Sequence, residues 1–315
     1  MPVEATIKVD KSPDTEHGDR LLARIEEELG GPAILTDRLS GAVLNIVYAV
    51  RCGEHELIAK SGAGASEGIR REAAVLAMLR ETEVAVPRAV LLPANPTFPD
   101  DLLLLDVLPG RAAKRGDDVL ADAGRSLRHL HEMRLPGFGS IGPGQQLAGT
   151  SDSWVGFLHA AMTEARKAIP VDVMPAAMHD AAAAQLSQHH IRGHLAGIGR
   201  GVLLHGDLMP RHIWNNEGRL AGLIDWGDAL VGDPLFDLAR CSMASEEAFQ
   251  RLLSGYGGPT PPDERVLAFY RMAWSLMALT VECRAGGDWF EAYVSTVRSE
   301  LGFLQRPGGA SPTAG

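Results

Sequence analysis

Two aspartates stand where chemistry would be done. Asp207, in His205-Gly206-Asp207, follows the apolar run Val202-Leu203-Leu204, and Asp225, in Ile224-Asp225-Trp226, ends the run from Leu220 to Ile224. Between them Asn215-Asn216-Glu217-Gly218 is turn chemistry, because Asn and Gly tolerate the left-handed conformations that a tight reversal needs. The stretch 201–237 therefore predicts strand, loop, short strand, turn and strand, with Asp207 and Asp225 brought near each other. Carboxylates at strand ends can accept a proton and hold a divalent metal. Two aspartates capping separate turns would look the same locally, so the elements around them have to discriminate.

Upstream, Val43 to Val50 is rich in β-branched and aromatic residues and predicts a strand; Gly53-Glu54 offers a turn, and 56–60 returns as the hairpin partner, ending in Lys60. Ser40-Gly41-Ala42, just before this hairpin, would let backbone N–H groups approach a phosphate, although an ordinary hairpin turn reads the same. A helix is predicted over 68–79, with Ile69, Leu76 and Leu79 on one stripe. Glu72 shares that stripe, and a carboxylate on a buried face needs a cation, for which Lys60 is placed. Four leucines, 102–105, fit a strand buried on both faces and run into Asp106-Val107-Leu108, where Pro109-Gly110 stops it. Helices are predicted over 19–29, 117–134, 153–168, 175–186, 187–198, 245–255, 262–285 and 287–305, and 136–150 reads as a Gly/Pro loop too long to be a mere connection.

The 315 residues carry a net charge of −10, which argues against general nucleic-acid binding. No run approaches the roughly 20 apolar residues of a membrane span, and the polar N-terminal segment has no apolar signal core. Cys52, Cys241 and Cys283 form no CxxC and fit reduced thiols in a cytoplasmic enzyme. The expected organisation is a disordered tail over 1–18, a β-rich lobe over 19–110 with a hinge near 106–110, a mainly helical lobe over 111–305 and a disordered tail over 306–315.

With these elements in order, the chain resembles the aminoglycoside phosphotransferase family, the small-molecule branch of the protein-kinase-like fold. The resemblance spans roughly 20–300 and rests on His205-Gly206-Asp207-Leu208, Ile224-Asp225-Trp226-Gly227-Asp228 and Gly232-Asp233-Pro234, preceded by a strand Lys and a helix Glu. It implies an α+β, bilobal protein-kinase-like fold with a β-rich N-lobe and a mainly helical C-lobe. It implies that Lys60 holds the nucleotide phosphates and is fixed by Glu72, that Leu39 to Asn45, with Ser40 and Gly41, covers the phosphates, and that Asp106, Val107 and Leu108 form the hinge that meets the purine edge. Asp207 would orient and deprotonate the attacking hydroxyl, Asp225 would bind Mg²⁺, and Asp237 would brace the catalytic loop. One position departs from the family: His212 stands where Asn usually supplies the second metal contact, as macrolide phosphotransferases also tend to have it, and imidazole is a poorer Mg²⁺ ligand than oxygen.

The expected activity is O-phosphotransfer from ATP or GTP to a hydroxylated small molecule, an antibiotic such as an aminoglycoside or macrolide, or else a metabolic amino alcohol or sugar alcohol. The partners expected are the nucleotide and that substrate, with no nucleic acid and no membrane, in a monomer or homodimer. An aminocyclitol would want carboxylates, for which Asp152, Glu164, Glu282, Asp288 and Glu291 are candidates; a macrolide would want an apolar wall, which Met162, Met174, Met178, Met272 and Met277 could build. Two readings from other classes compete: a metallohydrolase with His205, Asp207, His212 and Asp225 around zinc or a metal pair, and a nucleotide-binding pseudokinase.

Overall fold

A computed structural model of the chain describes residues 15–39, 45–62, 66–142, 146–258 and 262–306. The first stretch runs through α1 (Thr15–Leu29), β1 (Ala33–Leu39), β2 (Asn45–Cys52), β3 (His55–Gly62), α2 (Ser66–Leu79), β4 (Ala89–Leu92), β5 (Leu102–Asp106) and β6 (Arg111–Ala112). Then come α3 (Val119–Leu130), β7 (Arg134–Leu135), β8 (Phe138–Ile141), β9 (Gly149–Ser151), α4 (Trp154–Ala168), α5 (Ala176–Gln185), α6 (His189–Ala196) and β10 (Gly201–Leu204). The last stretch holds β11 (Ile213–Asn216), β12 (Arg219–Leu223), β13 (Leu230–Gly232), α7 (Pro234–Ser242), α8 (Glu246–Tyr256), α9 (Glu264–Ala285) and α10 (Phe290–Leu304). The fold is α+β, and the chain divides into two compact units: the described residues up to Ala113 together with Arg211–Ala229, and Lys114–Pro210 together with the described residues from Leu230 on.

In the first unit an antiparallel sheet of order β1-β2-β3-β5-β4 is built on the predicted hairpin, with Cys52 opposite His55 across the two-residue Gly53-Glu54 turn. Side chains alternate across the sheet. Tyr48, Val50, Cys52, Ala59, Leu102 and Leu104 face one way and pack with Leu21 and Ile25 of α1 and with Phe98. Each such fully buried Leu or Ile contributes about 2 kcal/mol by leaving water. Lys60 belongs to the other set, opposite Val47 and Leu103. The leucines 102–105 are buried on both faces, at most 6% exposed. A small sheet of order β12-β11-β6 completes this unit.

That small sheet explains why 211–229 departs from the single boundary expected near 110. Trp214 pairs with Ala112, the Ala113 N–H donates to the Ile213 carbonyl at 2.8 Å, and the Leu223 N–H donates to the Ala85 carbonyl at 2.8 Å. These are long-range pairings with no local sequence signature. The first helix also differs: it begins at Thr15 rather than 19, because His17 is anchored by Ser61 Oγ (3.1 Å) and sits edge-on to Phe98 (5.2 Å). Residues 1–14 and 307–315, most of the two expected tails, lie outside the described residues, as do Ser40 and Gly41.

In the second unit a sheet of order β7-β10-β13-β8-β9 occupies much of what reads as loop over 136–150. Its strands are two to four residues long, too short for a period-2 pattern to register. Helices α3 and α8 pack backbone to backbone: a Cβ on Gly124 would meet the Leu252 carbonyl oxygen at 2.0 Å, and one on Gly255 the Ala121 carbonyl oxygen at 1.7 Å. Helix α9 is long and apolar enough by composition to cross a membrane, yet it is mostly buried as the core helix of this unit, beside α4, α7 and α10. Trp154, Phe236 and Tyr270, all fully buried, lock α4, α7 and α9 together with ring centroids 5.5–6.2 Å apart.

Candidate active site

In the first unit the central feature is a buried cation. Lys60 Nζ donates to both carboxylate oxygens of Glu72, at 2.8 and 3.1 Å, and to Asp225 Oδ1 at 3.0 Å. The residue pattern dictates this: β3 points Lys60 away from the α1 side of the sheet, and the α2 stripe that buries Ile69 and Leu76 carries Glu72, itself 1% exposed, with them. Burial alone would lower the Lys60 pKa, but the two carboxylates outweigh it and raise the value, so the ammonium is permanent. Burial pushes the Glu72 carboxyl up, while Lys60 and the Trp226 N–H, 3.3 Å from Oε1, work against it.

The segment 224–227 is stitched to α2 at further points, since Arg71 Nη1 donates to the Gly227 carbonyl at 2.7 Å. Asp225 itself has φ of +69°, left-handed backbone that a non-glycine residue rarely adopts and that costs on the order of 1 kcal/mol or more. Its carboxylate is 45% exposed, and His212 Nε2 lies 3.5 Å from Oδ2. That same nitrogen accepts from Arg211 Nε at 3.0 Å.

In the second unit the turn 205–207 is held mainly through its backbone. Asp237, fully buried on α7, accepts the His205 N–H at 2.7 Å and the Gly206 N–H at 2.8 Å; His131 Nε2 lies 3.2 Å from its Oδ2. Behind it Tyr256, whose phenol burial pushes up to about 12, shares a hydrogen bond with His131 Nδ1 at 3.0 Å. Trp274 Nε1 donates to the Gly206 carbonyl at 2.7 Å. Asp207 receives Arg240 Nε on Oδ1 at 2.6 Å, and the Arg240 guanidinium carbon lies 3.7 Å from the Trp274 ring centroid.

The arrangement is a permanently charged ammonium beside a half-exposed carboxylate in one unit, and a carboxylate on a rigid turn in the other. A model of the phosphotransferase enzyme family matches residues 35–270. The chain belongs to the phosphotransferase enzyme family. It is therefore a small-molecule phosphotransferase whose acceptor group is an alcohol. Among solved structures it is similar to a thermostable mutant of aminoglycoside phosphotransferase APH(4)-Ia in its apo form, with a TM-score of 0.68 and 16% identity over 90% of this chain and 97% of that one. It is also similar to a candidate fructosamine-3-kinase from Thermobifida fusca YX-ER1, with a TM-score of 0.64 and 20% identity over 89% and 98%. A GDP complex of an aminoglycoside 2'-phosphotransferase-IIIa mutant gives 0.63 and 14% over 90% and 95%. No curated protein matches the chain by sequence. At these identities the structural likeness carries the protein-kinase-like fold, and the family model carries the activity.

Within this phosphotransferase, the structure brings Lys60, Glu72, Asp225 and His212 together in the first unit and places Asp207 in the second. In the segment expected to form the hinge, Asp106 donates its N–H to the Arg88 carbonyl at 3.0 Å, and the Leu108 carbonyl accepts from Trp214 Nε1 at 3.0 Å. Val107, Leu108 and Pro109 line an open pocket of about 670 Å³ with Arg51, Glu54 and Glu56. Glu56 shares a sheet face with Lys60 four residues further along β3, about 13 Å away. Most acceptor-site candidates are committed elsewhere. Met162, Met174 and Met272 are core, Glu164 pairs with Arg284, Glu291 with Arg298, and Glu282 is buried under the α9–α10 turn. Asp152 and Asp288 are exposed. Sequence reasoning missed Arg240 and Trp274. Their signal was faint: Arg240 lies three residues after Asp237 on one helix face, and Trp274 is the sole tryptophan on α9.

Proposed function

We propose that this phosphotransferase moves the γ-phosphoryl group of ATP or GTP to a hydroxyl of a small molecule, with a hydroxylated antibiotic such as an aminoglycoside or macrolide as the acceptor class. The observation that carries the reading is the Lys60 ammonium, buried and fixed by Glu72 and Asp225 at 2.8–3.1 Å. A cation so constrained is made to meet nucleotide phosphates. Relatives of the fold support a nucleotide donor: APH(4)-Ia variants crystallise with ADP or AMP-PNP together with hygromycin B.

The family's chemistry calls for Mg²⁺, and Asp225 suits it: a hard, half-exposed oxygen donor next to the phosphate-binding lysine. His212 suits it less, since Arg211 faces its Nε2. Among the described residues no three His, Cys, Asp or Glu side chains gather into a cage that would hold a metal alone. That favours an ion held by one carboxylate plus substrate phosphates over the zinc site of a hydrolase. When bound, the ion neutralises phosphate charge.

The chain's own residues do the rest. Lys60 binds the phosphates, Glu72 keeps it in place, and the 106–108 segment addresses the base. Asp207 orients the acceptor hydroxyl and takes its proton as the oxygen–phosphorus bond forms and the nucleoside diphosphate departs. Beside Asp207 stand Arg240, which is paired to it, and an aromatic pair, Trp274 with Tyr293 edge-on at 5.9 Å. The cysteines, none of them in a disulfide, fit a cytoplasmic enzyme.

The test is a coupled nucleotide-turnover screen with Mg²⁺, ATP and GTP against aminoglycosides, macrolides, sugars and amino alcohols. Acceptor-dependent turnover that disappears in Asp207→Ala is expected. Nucleotide binding without turnover on any acceptor would favour the pseudokinase reading.

A further inference from the structure

We infer that Arg240, placed over the Trp274 ring, is a positioning residue that holds the Asp207 carboxylate in its working orientation. The inference rests on Asp207 being the base of the transfer. Three contacts carry it. Arg240 Nε donates to Asp207 Oδ1 at 2.6 Å; its guanidinium carbon stands 3.7 Å from the Trp274 ring centroid; and the same indole donates from Nε1 to the Gly206 carbonyl at 2.7 Å. The two elements that hold the turn, α7 and α9, therefore also hold the side chain at its end. Asp237 and Arg240, three apart on α7, share a face: one fixes the backbone of 205 and 206, the other the carboxylate of 207.

The chemistry favours arginine here. Arg240 and Asp207 are 5% and 9% exposed, and a buried guanidinium without a partner would be strongly unfavourable, so the pair is held together. The planar guanidinium stacks on the indole and presents Nε at a fixed angle, which a lysine ammonium cannot reproduce. A cation also makes the carboxylate a weaker base. Phosphoryl transfer tolerates that, because its loose transition state asks more for orientation than for proton affinity. Besides Arg240, the titratable groups described around Asp207 include His205, whose Nδ1 accepts the Asp207 N–H at 3.3 Å, Asp237 and His131 behind the turn, and the Cys241 thiol on α7.

The experiment compares wild type, Arg240→Met and Arg240→Lys by two readouts. The first is the Asp207 titration midpoint from carbon-13-labelled aspartate carboxyls, assigned by its loss in Asp207→Asn. The second is kcat and nucleotide KM with an acceptor found by the screen. In Arg240→Met the midpoint should rise by about 1–2 pH units as the neighbouring cation is lost. There kcat should fall about 10–100-fold at constant nucleotide KM as the carboxylate loses its orientation. Arg240→Lys should keep the midpoint near wild type and lose less kcat. An unmoved midpoint in folded Arg240→Met, or a wild-type kcat in that variant, overturns the assignment. If Arg240→Met does not fold, Arg240→Lys decides: wild-type kcat overturns it, and reduced kcat at an unchanged midpoint supports it. Absence of turnover in wild type would count against the proposed function alone, since the midpoints still decide the positioning role.

Discussion

The two units solve opposite electrostatic problems. In the first, a buried cation is held by two carboxylates, side chain to side chain: Lys60 between Glu72 and Asp225. In the second, a carboxylate is held by a cation, and the turn that bears it is pinned through its backbone by Asp237 and Trp274. The difference follows from what each group would meet in the proposed transfer. A phosphate-binding ammonium has to stay charged and in place while one of its partners, the half-exposed Asp225, remains open to solvent. A base for a hydroxyl needs a fixed lone pair, and that is secured by fixing the main chain that carries it.

The contrast breaks most sharply at Asp207. Asp207→Asn keeps the shape and removes the proposed base, so kcat should fall about 10²–10⁴-fold while nucleotide affinity, which the proposal assigns to the first unit, stays close to wild type. Isothermal titration with a nucleotide beside steady-state kinetics checks both halves, and equal losses in the two would dissolve the division of labour. Next is Asp237→Asn. The new amide has to turn its NH₂ toward the His205 N–H and His131 or toward the Gly206 N–H, donor against donor. A stability loss of about 2–4 kcal/mol is expected from chemical denaturation. A neutral result would mean that the turn is pinned by Trp274 rather than by α7.

Much of the first unit was legible in the sequence because its signals are local. The 45–60 hairpin shows a two-residue turn between β-rich segments, and Glu72 shows itself as a carboxylate inside an apolar stripe. Even its pairing with Lys60 follows from the need of a buried charge for a partner. The second unit was legible only in outline. Its helices have periodicity, but β7, β8 and β13 are two to four residues long and exist through pairing with distant strands, and the three residues of β9 pair with β8 alone. The same reason hid the return of 211–229 to the first unit, which depends on β6 and β11 meeting across about a hundred residues of chain. Arg240 and Trp274 read as ordinary helix residues, since what gives them meaning is the crossing of α7 and α9 beside the turn.

Lys60→Met sharpens the comparison from the other side. It removes an ammonium from between two carboxylates, so Glu72 and Asp225 then face each other and burial favours protonation of Glu72. Charge-assisted contacts to phosphate are worth about 1.5–3 kcal/mol, so nucleotide KM should rise roughly 10–100-fold, with the Asp207 titration midpoint unmoved. A shifted midpoint would show that the two charge systems are coupled rather than separate.

The smallest effect expected is on pH dependence, and it tests whether the second unit's carboxylates are braced by cations generally. Asp233, the N-cap of α7, accepts from His194 Nε2 at 2.6 Å and from the Tyr270 hydroxyl at 2.6 Å. The hydrogen bond to Asp233 raises the His194 pKa above 6.5 against the opposing pull of burial. A histidine that binds its proton more tightly when folded stabilises fully below its unfolded pKa, and that contribution is lost as pH rises through the folded value. Wild type should therefore lose more thermal stability than His194→Gln between pH 6 and pH 8.5, by on the order of 2 °C in Tm. Parallel Tm profiles would mean that the Tyr270 hydroxyl satisfies Asp233 without help from a charge on His194, and that the α7 N-cap needs no cation.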